Sequence, residues 1–341
     1  MLKDDSNFNH IDKNIGYQLM TERMFMQALG MGIAEEMRID PKVFMMGEDV
    51  RASVYGAAAG LYDEFGDDRI LNTPLSENGF FGAAVGAAAV GMRPIVETLT
   101  SFMWVGMDQL VSQAAKMRYM FGGQATLPVV YRAVMYYGGG SAAHHSDRSY
   151  PVFMNIGGLK VVVPATAADA KGLMKTAIRD DDPVIMFEDG TLLSTRGEVP
   201  DDPDFTVPFG VANILREGTD VTVVAIAGSV PHALGAAEVM AKEGVSVEVI
   251  DPRTLVPLDK DTILNSVGKT GRFVVADPAA KVCSAASEIM SIVGEEAFWD
   301  LQAPMQKVAS KQVHIPFTPS LEKLVYPTRD GIIEAIKKTL G

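Results

Sequence analysis

Cysteine is nearly absent from this sequence, because Cys283 is its single representative. One cysteine excludes an intramolecular disulfide framework and a zinc cage built from cysteines, which suits a reducing compartment. A free cysteine usually packs as a small apolar residue, so we expect Cys283 to be buried.

Long hydrophobic runs are also missing. The stretches Val221 to Ala227 and Gly79 to Gly91 are too short for a membrane helix, which needs roughly 20 apolar residues. The first 18 residues are polar and lack the apolar centre of a signal peptide. We therefore expect a soluble, cytoplasmic protein without a membrane association.

Positive charge is scarce relative to negative charge. Lys and Arg number 30 against 43 Asp and Glu, which gives a formal net charge of -13, and no basic block offsets it locally. Such a surface repels a phosphate backbone. Nucleic acid is therefore not an expected partner.

Short runs rich in Val and Ile alternate with longer Ala-rich stretches, a pattern typical of an α/β protein with largely parallel sheets. Candidate strands are Val43 to Met46, Pro94 to Glu97, Pro128 to Tyr131, Lys160 to Val163 and Val184 to Phe187. Candidate helices are Tyr17 to Met37, Gly79 to Val90, Gly106 to Tyr119 and Ala167 to Ile178.

A stretch rich in Pro, Asp and Gly, from Gly190 to Gly210, has the composition of a linker. We place a domain boundary near Pro208, which divides the chain into a tail (1–16), a first domain (17–207) and a second domain (208–341). The second domain starts a new set of elements: strand Val221 to Ile226, helix Pro231 to Lys242, strand Val245 to Ile250 and strand Phe273 to Ala276.

The sequence lacks the glycine-rich motifs that hold phosphates, both the P-loop and the dinucleotide-binding type. It does contain Ser76-Glu77 ahead of a helix with Gly82 and Gly86 four residues apart. Ser76 is a plausible N-cap, which would place Glu77 in the first helical turn. A helix so poor in bulky side chains suggests close packing against a partner, although a tight contact within the chain is an equal alternative.

Two adjacent histidines, His144 and His145, follow the flexible segment Gly138 to Gly140. Adjacent side chains point in different directions, so a paired metal site is not expected. A functional loop and a solvated loop are both compatible with this pattern.

Several segments, taken in order, closely resemble the β subunits of the pyruvate, branched-chain 2-oxoacid and acetoin dehydrogenase decarboxylase components. The resemblance runs from about Tyr17 to Leu340. It rests on the segments Gly47-Glu48-Asp49-Val50, Thr73-Pro74-Leu75-Ser76-Glu77, Gly91-Met92-Arg93-Pro94, Asp108-Gln109, Gly122-Gly123-Gln124, His145-Ser146, Gly158 to Val162, Asp169 to Leu173 and Val245 to Leu255.

This resemblance implies a transketolase-like pyrimidine-binding domain followed by a transketolase C-terminal domain. It implies thiamine diphosphate bound between two subunits, with the diphosphate and Mg²⁺ held mainly by an α subunit through a Gly-Asp-Gly motif. Here only Glu188-Asp189-Gly190 approximates that motif. An α2β2 heterotetramer with a second β subunit follows, together with docking to a lipoyl acyltransferase core.

By the same resemblance, Glu77 matches the glutamate that hydrogen-bonds N1′ of the aminopyrimidine. Glu48, Leu75 and Phe102 match other cofactor-binding positions, and Phe102 would pack on the pyrimidine ring. His145 matches a histidine near the substrate carboxylate or the incoming lipoyl group.

Four features remain open at this stage. Asp147 replaces the usual Gln of the family's His-Ser-Gln loop, Trp104 is interpreted as a local core aromatic, and the turn Ala276 to Lys281 departs from the family near expected subunit contacts. A monovalent-cation site for K⁺, with a polar helix-to-strand turn as the alternative, would use Val129, Ala177, Ile178, Asp180 and Asp182.

The leading functional hypothesis is decarboxylation of a 2-oxoacid with transfer of the acyl group to a lipoyl carrier, performed with an α subunit. A carboligase or acetoin-cleaving use of the same cofactor is the second hypothesis. The third is a partner-binding subunit without catalysis, against which the presence of Glu77 argues.

Overall fold

The computed structural model describes residues 19–138 and 140–341, so the predicted tail and the start of the helix predicted at Tyr17 lie outside the described residues. The described strands are β1 (Met20–Met24), β2 (Val43–Gly47), β3 (Ile70–Asn72), β4 (Arg93–Leu99), β5 (Val130–Met135), β6 (Lys160–Val162), β7 (Val184–Asp189), β8 (Arg196–Pro200), β9 (Asn213–Arg216), β10 (Val221–Ala225), β11 (Val247–Asp251), β12 (Thr254–Val256), β13 (Phe273–Ala280) and β14 (Gln306–Ser310). The described helices are α1 (Phe25–Ile39), α2 (Leu61–Phe65), α3 (Glu77–Ala89), α4 (Ala115–Met120), α5 (Ala142–His145), α6 (Tyr150–Met154), α7 (Ala167–Arg179), α8 (Val230–Lys242), α9 (Lys260–Thr270), α10 (Ala285–Glu296), α11 (Pro319–Glu322) and α12 (Arg329–Leu340).

Two mostly parallel sheets organise the chain. The larger has seven strands in the order β12-β6-β7-β5-β4-β2-β3, and the smaller has five in the order β14-β13-β10-β11-β9. Strands β2, β5 and β7 are buried along their whole length, as expected of parallel strands covered by helices on both faces. The predicted α/β architecture is confirmed.

The two halves of the chain share their packing. One hydrophobic cluster joins Phe25 of α1 to Ile336 of α12, and a second joins Phe81 of α3 to Ile289 of α10. Strand β12, from the second half, adds antiparallel to β6 at the edge of the larger sheet. Among the described residues, no helix is long and apolar enough to span a membrane.

Two expectations about local structure were wrong at the beginning and end of the first half. The residues before Phe25, which we expected in a helix, form β1, because they pair antiparallel with β8. Strand β8 itself lies inside the segment predicted as a linker, and Leu192, Val199 and Val207 of that segment are buried. The segment therefore contains a paired strand and buried side chains, unlike an extended linker.

The helix predicted from Gly106 to Tyr119 is irregular. A π-helix occupies Asp108–Ala114 and passes directly into α4. The expectation that Cys283 is buried was also wrong. Cys283 is exposed and has a left-handed backbone conformation with φ 52°. Composition gave no sign of either feature.

Asp277 connects the two halves through a buried hydrogen bond. Its carboxylate accepts from the Tyr150 hydroxyl at the start of α6 and from the backbone amide of Ala286 in α10 at 2.8 Å. Burial raises the pKa of Asp277, and the hydrogen bonds oppose that shift. The segment predicted as an altered turn is thus the end of β13, with its acid pointing inward.

We expect Tyr150→Phe to lower the free energy of unfolding by about 1–3 kcal/mol, because Asp277 would lose one donor inside the core. Tyr62→Phe is the matched control, since the Tyr62 hydroxyl donates to Asp67 at the surface and its loss should change little. Urea unfolding of both variants measures the difference. Equal stabilities would contradict a contribution from the buried bond.

Candidate active site

The residues assigned to the site follow the carboxyl ends of neighbouring strands. Glu48 follows β2, Glu77 follows β3, Phe102 follows β4, and His145 lies in the loop after β5. These strands are adjacent in the sheet order β5-β4-β2-β3. Parallel strands deliver their following loops to one edge of the sheet, which is where α/β proteins bind ligands.

Glu77 is the first residue of α3, and Ser76 occupies the N-cap position, as predicted. The Ser76 side chain makes no capping hydrogen bond. Glu77 is half-buried, and its carboxylate lies at the positive end of the helix dipole. This position places the residue at the edge of the sheet where the strands end.

Glu48 carries a carboxylate oxygen, Oε1, that is buried without a hydrogen-bond partner among the described residues. Burial raises the pKa of Glu48, and the negative charges of Glu77 and Asp49 raise it further. Glu48 and Glu77 are therefore close enough to interact electrostatically. An unpartnered buried acid beside a second acid is typical of a site that a ligand completes.

Phe102 packs against the histidine pair. Its ring centroid lies 5.5 Å from that of His145 and 5.6 Å from that of His144, both in edge-on geometry. His145 Nδ1 lies 3.1 Å from the backbone oxygen of Ser141. The Ser141 contact orients the imidazole and leaves Nε2 as the nitrogen for a ligand.

Hydrogen bonds fasten the loop after β4 to the loop after β5. Thr100 Oγ1 and Ser149 Oγ are 2.7 Å apart. Trp104 Nε1 donates to Asp147 Oδ2 at 2.9 Å. Trp104 is 42% exposed, so its interpretation as a core aromatic was wrong; its indole nitrogen instead partners the Asp147 charge.

The small-residue side of α3 lies on the surface of this chain. Ala83, Gly86, Ala89 and Val90 are exposed, and a methyl group at Gly86 would meet nothing within 4 Å. Leu75, just before the helix, is 84% exposed. Gly82 differs from Gly86, because a methyl group there would lie 2.9 Å from the Gln109 side chain. The helix therefore makes a tight contact within the chain at Gly82 and leaves its Gly86 side open.

Comparison with known families now identifies the architecture. The model described as the transketolase pyrimidine binding domain matches residues 22–195, and the transketolase C-terminal domain model matches residues 210–332. The chain belongs to the transketolase-like family. The interval between the two models contains Pro208, and the division at that residue stays a prediction.

Relatives within the transketolase-like family cover nearly the whole chain. The acetoin:2,6-dichlorophenolindophenol oxidoreductase subunit beta of Cupriavidus necator is 47% identical over 92% of this chain and 96% of its own length. The pyruvate dehydrogenase E1 component subunit beta of Rickettsia felis is 45% identical, with coverages of 92% and 96%. The 2-oxoisovalerate dehydrogenase subunit beta of Bacillus subtilis is 40% identical, with coverages of 94% and 99%.

A solved structure supports the transketolase-like fold independently. The chain matches a split-gene transketolase, described as an inactive β4 tetramer, with a TM-score of 0.74 over 93% of this chain and 97% of that one. At 23% sequence identity, the match concerns the fold alone.

Beneath the site, Arg132 in β5 binds two carboxylates on the flanking strands. Its Nε and Nη2 each donate to Glu188 at 2.7 Å, and Nη1 donates to Glu97. All three side chains are fully buried. We did not predict this network. The available signal was a charged residue, Glu97, Arg132 or Glu188, at the end of each apolar run or directly after it.

The Glu188-Asp189-Gly190 segment has other partners than a metal. Glu188 is bound to Arg132, and Asp189 Oδ1 accepts from the Thr191 amide at 3.0 Å and the Thr191 hydroxyl at 2.8 Å. No group of three or more His, Cys, Asp or Glu in the described residues could hold a metal ion. Both acids of the segment thus have protein partners in this structure.

The residues of the predicted K⁺ site lie at one turn, but their oxygens have cationic partners. Arg93 Nη1 donates to the backbone oxygens of Ile178 at 2.9 Å and Asp180 at 3.0 Å. Lys160 Nζ binds both carboxylate oxygens of Asp180, and Arg118 binds Asp182. The oxygens of Val129 and Ala177 accept backbone amides. Protein cations thus neutralise this turn, which favours the alternative of a polar helix-to-strand turn.

The ionisation of Glu97 makes the stability of the protein depend on pH. Burial raises its pKa to about 7, which the Arg132 charge opposes and the Glu188 charge reinforces. Between its ordinary value of 4.5 and about 7, the native state holds a proton that the unfolded chain has lost. The free energy of unfolding therefore falls as pH rises through this window.

We expect Glu97→Gln to make this fall shallower between about pH 5 and 7, because the amide keeps an acceptor for Arg132 but does not titrate. Urea unfolding at several pH values measures the slope. Burial also raises the pKa of Asp251, to about 8. In both proteins Asp251 therefore makes the free energy of unfolding fall as pH rises, and this shared fall is the internal reference. Parallel curves for the two proteins would contradict the assignment to Glu97.

Proposed function

We propose that this chain is the β subunit of a thiamine-diphosphate-dependent enzyme that decarboxylates a 2-oxoacid and passes the acyl group to a lipoyl carrier. The observation that carries the proposal is the pair Glu48 and Glu77 after neighbouring strands. The negative charge of Glu77 helps to raise the pKa of Glu48, and Glu48 Oε1 is buried without a partner among the described residues. The β subunits to which the chain is similar support the same assignment.

The side chains at this edge fit an aminopyrimidine ring. Phe102 offers an apolar face, and Glu77 offers a carboxylate directed by the start of α3. The unpartnered oxygen of Glu48 can accept a hydrogen bond from a polar group of the ligand. Such a mixture of one aromatic and a few convergent polar groups is what small-molecule sites contain.

Glu77 would hold a proton at N1′ of the pyrimidine and return it during turnover. Burial and the negative charges of Glu77 and Asp49 raise the pKa of Glu48, which favours the protonated form of Glu48. When bound, thiamine diphosphate supplies the nucleophilic carbon and the electron sink on which a 2-oxoacid loses CO2. The chain's own part is to place and move the proton.

His145 would stabilise negative charge on the substrate. Its Nδ1–H is directed to the Ser141 carbonyl oxygen, so Nε2 can donate toward a carboxylate or an acyl oxygen when the ring is cationic. Phe102 packs against this ring and limits the water around it. Asp147 binds Trp104, and this hydrogen bond directs its carboxylate toward the indole.

The chain would act with an α subunit that holds the diphosphate and Mg²⁺. Its sequence has no phosphate-binding motif of its own, and the exposed small-residue side of α3 lets a partner helix approach closely. An α2β2 assembly with a second β subunit follows from the family resemblance. Docking to a lipoyl acyltransferase core and a cytoplasmic location are part of the same proposal.

A second candidate is an acetoin-cleaving enzyme built on the same cofactor site. The observation that favours it is the 47% identity to an acetoin:2,6-dichlorophenolindophenol oxidoreductase subunit beta. Both candidates use Glu77 in the same way, so they differ in substrate and not in cofactor activation.

For the assembly with its α subunit, we expect Glu77→Gln to lower turnover at least about 100-fold, the lower end of general acid–base contributions. Glu288→Gln is the matched control, because Glu288 also lies in the first turn of a helix, α10, outside the candidate active site. Unchanged turnover in Glu77→Gln would contradict the mechanism.

The same assay separates the candidates when pyruvate, 2-oxoisovalerate and acetoin are each supplied with 2,6-dichlorophenolindophenol as the electron acceptor. Turnover of a 2-oxoacid supports the first candidate, and turnover of acetoin alone supports the second. Inactivity with all three substrates, in an assembly that binds the cofactor, would favour a partner-binding subunit without catalysis.

We expect the isolated chain to bind thiamine diphosphate and Mg²⁺ only weakly, and the assembled pair to bind them tightly, because the diphosphate lacks a binding motif in this sequence. Isothermal titration calorimetry of both preparations makes the comparison. Tight binding by the isolated chain would contradict the need for a partner.

A further inference from the structure

A cavity of about 320 Å³ lies in the cleft between the two halves of the chain. Arg148 enters it from the loop after β5, Ser229 from the start of α8, and Tyr326 from the segment before α12. Its lining includes none of the four residues of the candidate active site. It is therefore a separate space, large enough only for a small ligand.

Arg148 has hydrogen-bonding capacity that the chain does not use. Its side chain is 4% exposed, and Nη1 donates to the backbone oxygens of Tyr136 at 2.7 Å and Ser146 at 2.8 Å. Nε is buried without a partner among the described residues, and Nη2 is 3.9 Å from Asp189, too far for a hydrogen bond. A buried guanidinium with unused donors is costly unless a ligand or water completes it.

Two hydroxyl groups in the same cavity are also unpartnered. Ser229 Oγ and the Tyr326 hydroxyl are both buried without a hydrogen-bond partner among the described residues. Burial raises the pKa of Tyr326 to about 12, so its hydroxyl keeps its proton and can donate at neutral pH. The Tyr326 ring lies 4.5 Å from the Arg148 guanidinium carbon, which holds both groups together.

The start of α8 adds a favourable field for negative charge. Ser229 is the N-cap of this 13-residue helix and its side chain makes no capping bond. A helix dipole attracts anions to its first turn. Pro231 has no amide hydrogen and the Val230 amide donates to Ala227, so the dipole and not these two groups provides the attraction here. Lys323 also lines the cavity, and Asp189 is the carboxylate among the lining residues.

Asp189 does not cancel this preference for an anion. One of its oxygens, Oδ1, already accepts two hydrogen bonds from Thr191, and Arg148 Nη2 lies 3.9 Å from the same oxygen. The unsatisfied groups of Arg148, Ser229 and Tyr326 are all able to donate. These three groups therefore call for an acceptor that Asp189 does not supply to them in this structure.

We propose that this cleft binds a small oxyanion, a carboxylate or a phosphate, on Arg148, Ser229 and Tyr326. The ligand's oxygens accept the free Nε–H and the two hydroxyl protons while the helix start and Lys323 balance its charge. The proposal is independent of the function proposed for Glu77, because the two sites share no residue.

The test is calorimetric titration of the purified full-length chain with inorganic phosphate and, separately, with acetate, at constant ionic strength. We expect binding at one site with a dissociation constant on the order of 1 mM. Binding of phosphate alone identifies a phosphate site, and binding of acetate alone identifies a carboxylate site. Binding of neither anion would overturn the proposal.

Variants then locate the binding. We expect Arg148→Gln to weaken it at least about tenfold, and Ser229→Ala and Tyr326→Phe each to weaken it severalfold, since each removes one donor. The control is Arg38→Gln, which removes an equal charge from an exposed ion pair with Glu64. Equal anion affinity of Arg148→Gln and the control would show that the anion is attracted by general charge alone. That result would contradict the proposed site.

Arg148 also supports two backbone oxygens, so Arg148→Gln could fail to fold. The two hydroxyl variants remove a single oxygen each and keep the test decisive in that case. Thermal unfolding without added anion shows which variants are folded. Unchanged affinity in both folded hydroxyl variants would equally overturn the proposal.

Discussion

The arrangement of the candidate site depends on the buried ion pairs of Arg132 with Glu97 and Glu188. One guanidinium binds carboxylates on both neighbouring strands, and each of the three side chains is fully buried. Removing one member of such a network leaves an uncompensated charge in the core, which costs roughly 3–5 kcal/mol. The network therefore fixes the relative positions of β4, β5 and β7 near their carboxyl ends, where the functional loops begin.

The two loops above this network are joined to each other by hydrogen bonds of their own. Phe102 lies three residues after the end of β4. The ring that it contacts, His145, is the last residue of α5, in the connection that follows β5. The bond between Trp104 and Asp147 ties the two loops together above the sheet. Below them, Glu97 and Arg132 tie the two strands. The pairing of an aromatic ring with an imidazole is thus held from both sides.

Periodicity and composition predicted most of the fold, because a strand buried on both faces is a continuous apolar run. Strands β2, β4 and β7, as well as α3 and α7, all lie where we expected them. The prediction was wrong where pairing partners, and not local pattern, decide the structure. Residues Met20–Met24 form a strand only because β8 lies beside them.

Some functional residues could likewise be assigned from the sequence, and others could not. Glu77, Glu48, Phe102 and His145 could be assigned by resemblance, and the structure gathers them at one edge of the sheet. The donors around Arg148 could not be assigned, since they come from three segments far apart in sequence. Exposure was also beyond prediction for Cys283 and Trp104, whose residue types favour burial elsewhere.

Strand β12 has a mechanical consequence for the whole chain. It leaves the second half of the sequence to hydrogen-bond with β6 at the edge of the first sheet, and Tyr150 and Asp277 join the halves again on another side. Two domains joined in this way cannot open about a hinge without breaking a sheet and exposing a buried acid. Movement confined to the surface loops around Arg148 would open this cleft and leave both connections between the halves intact.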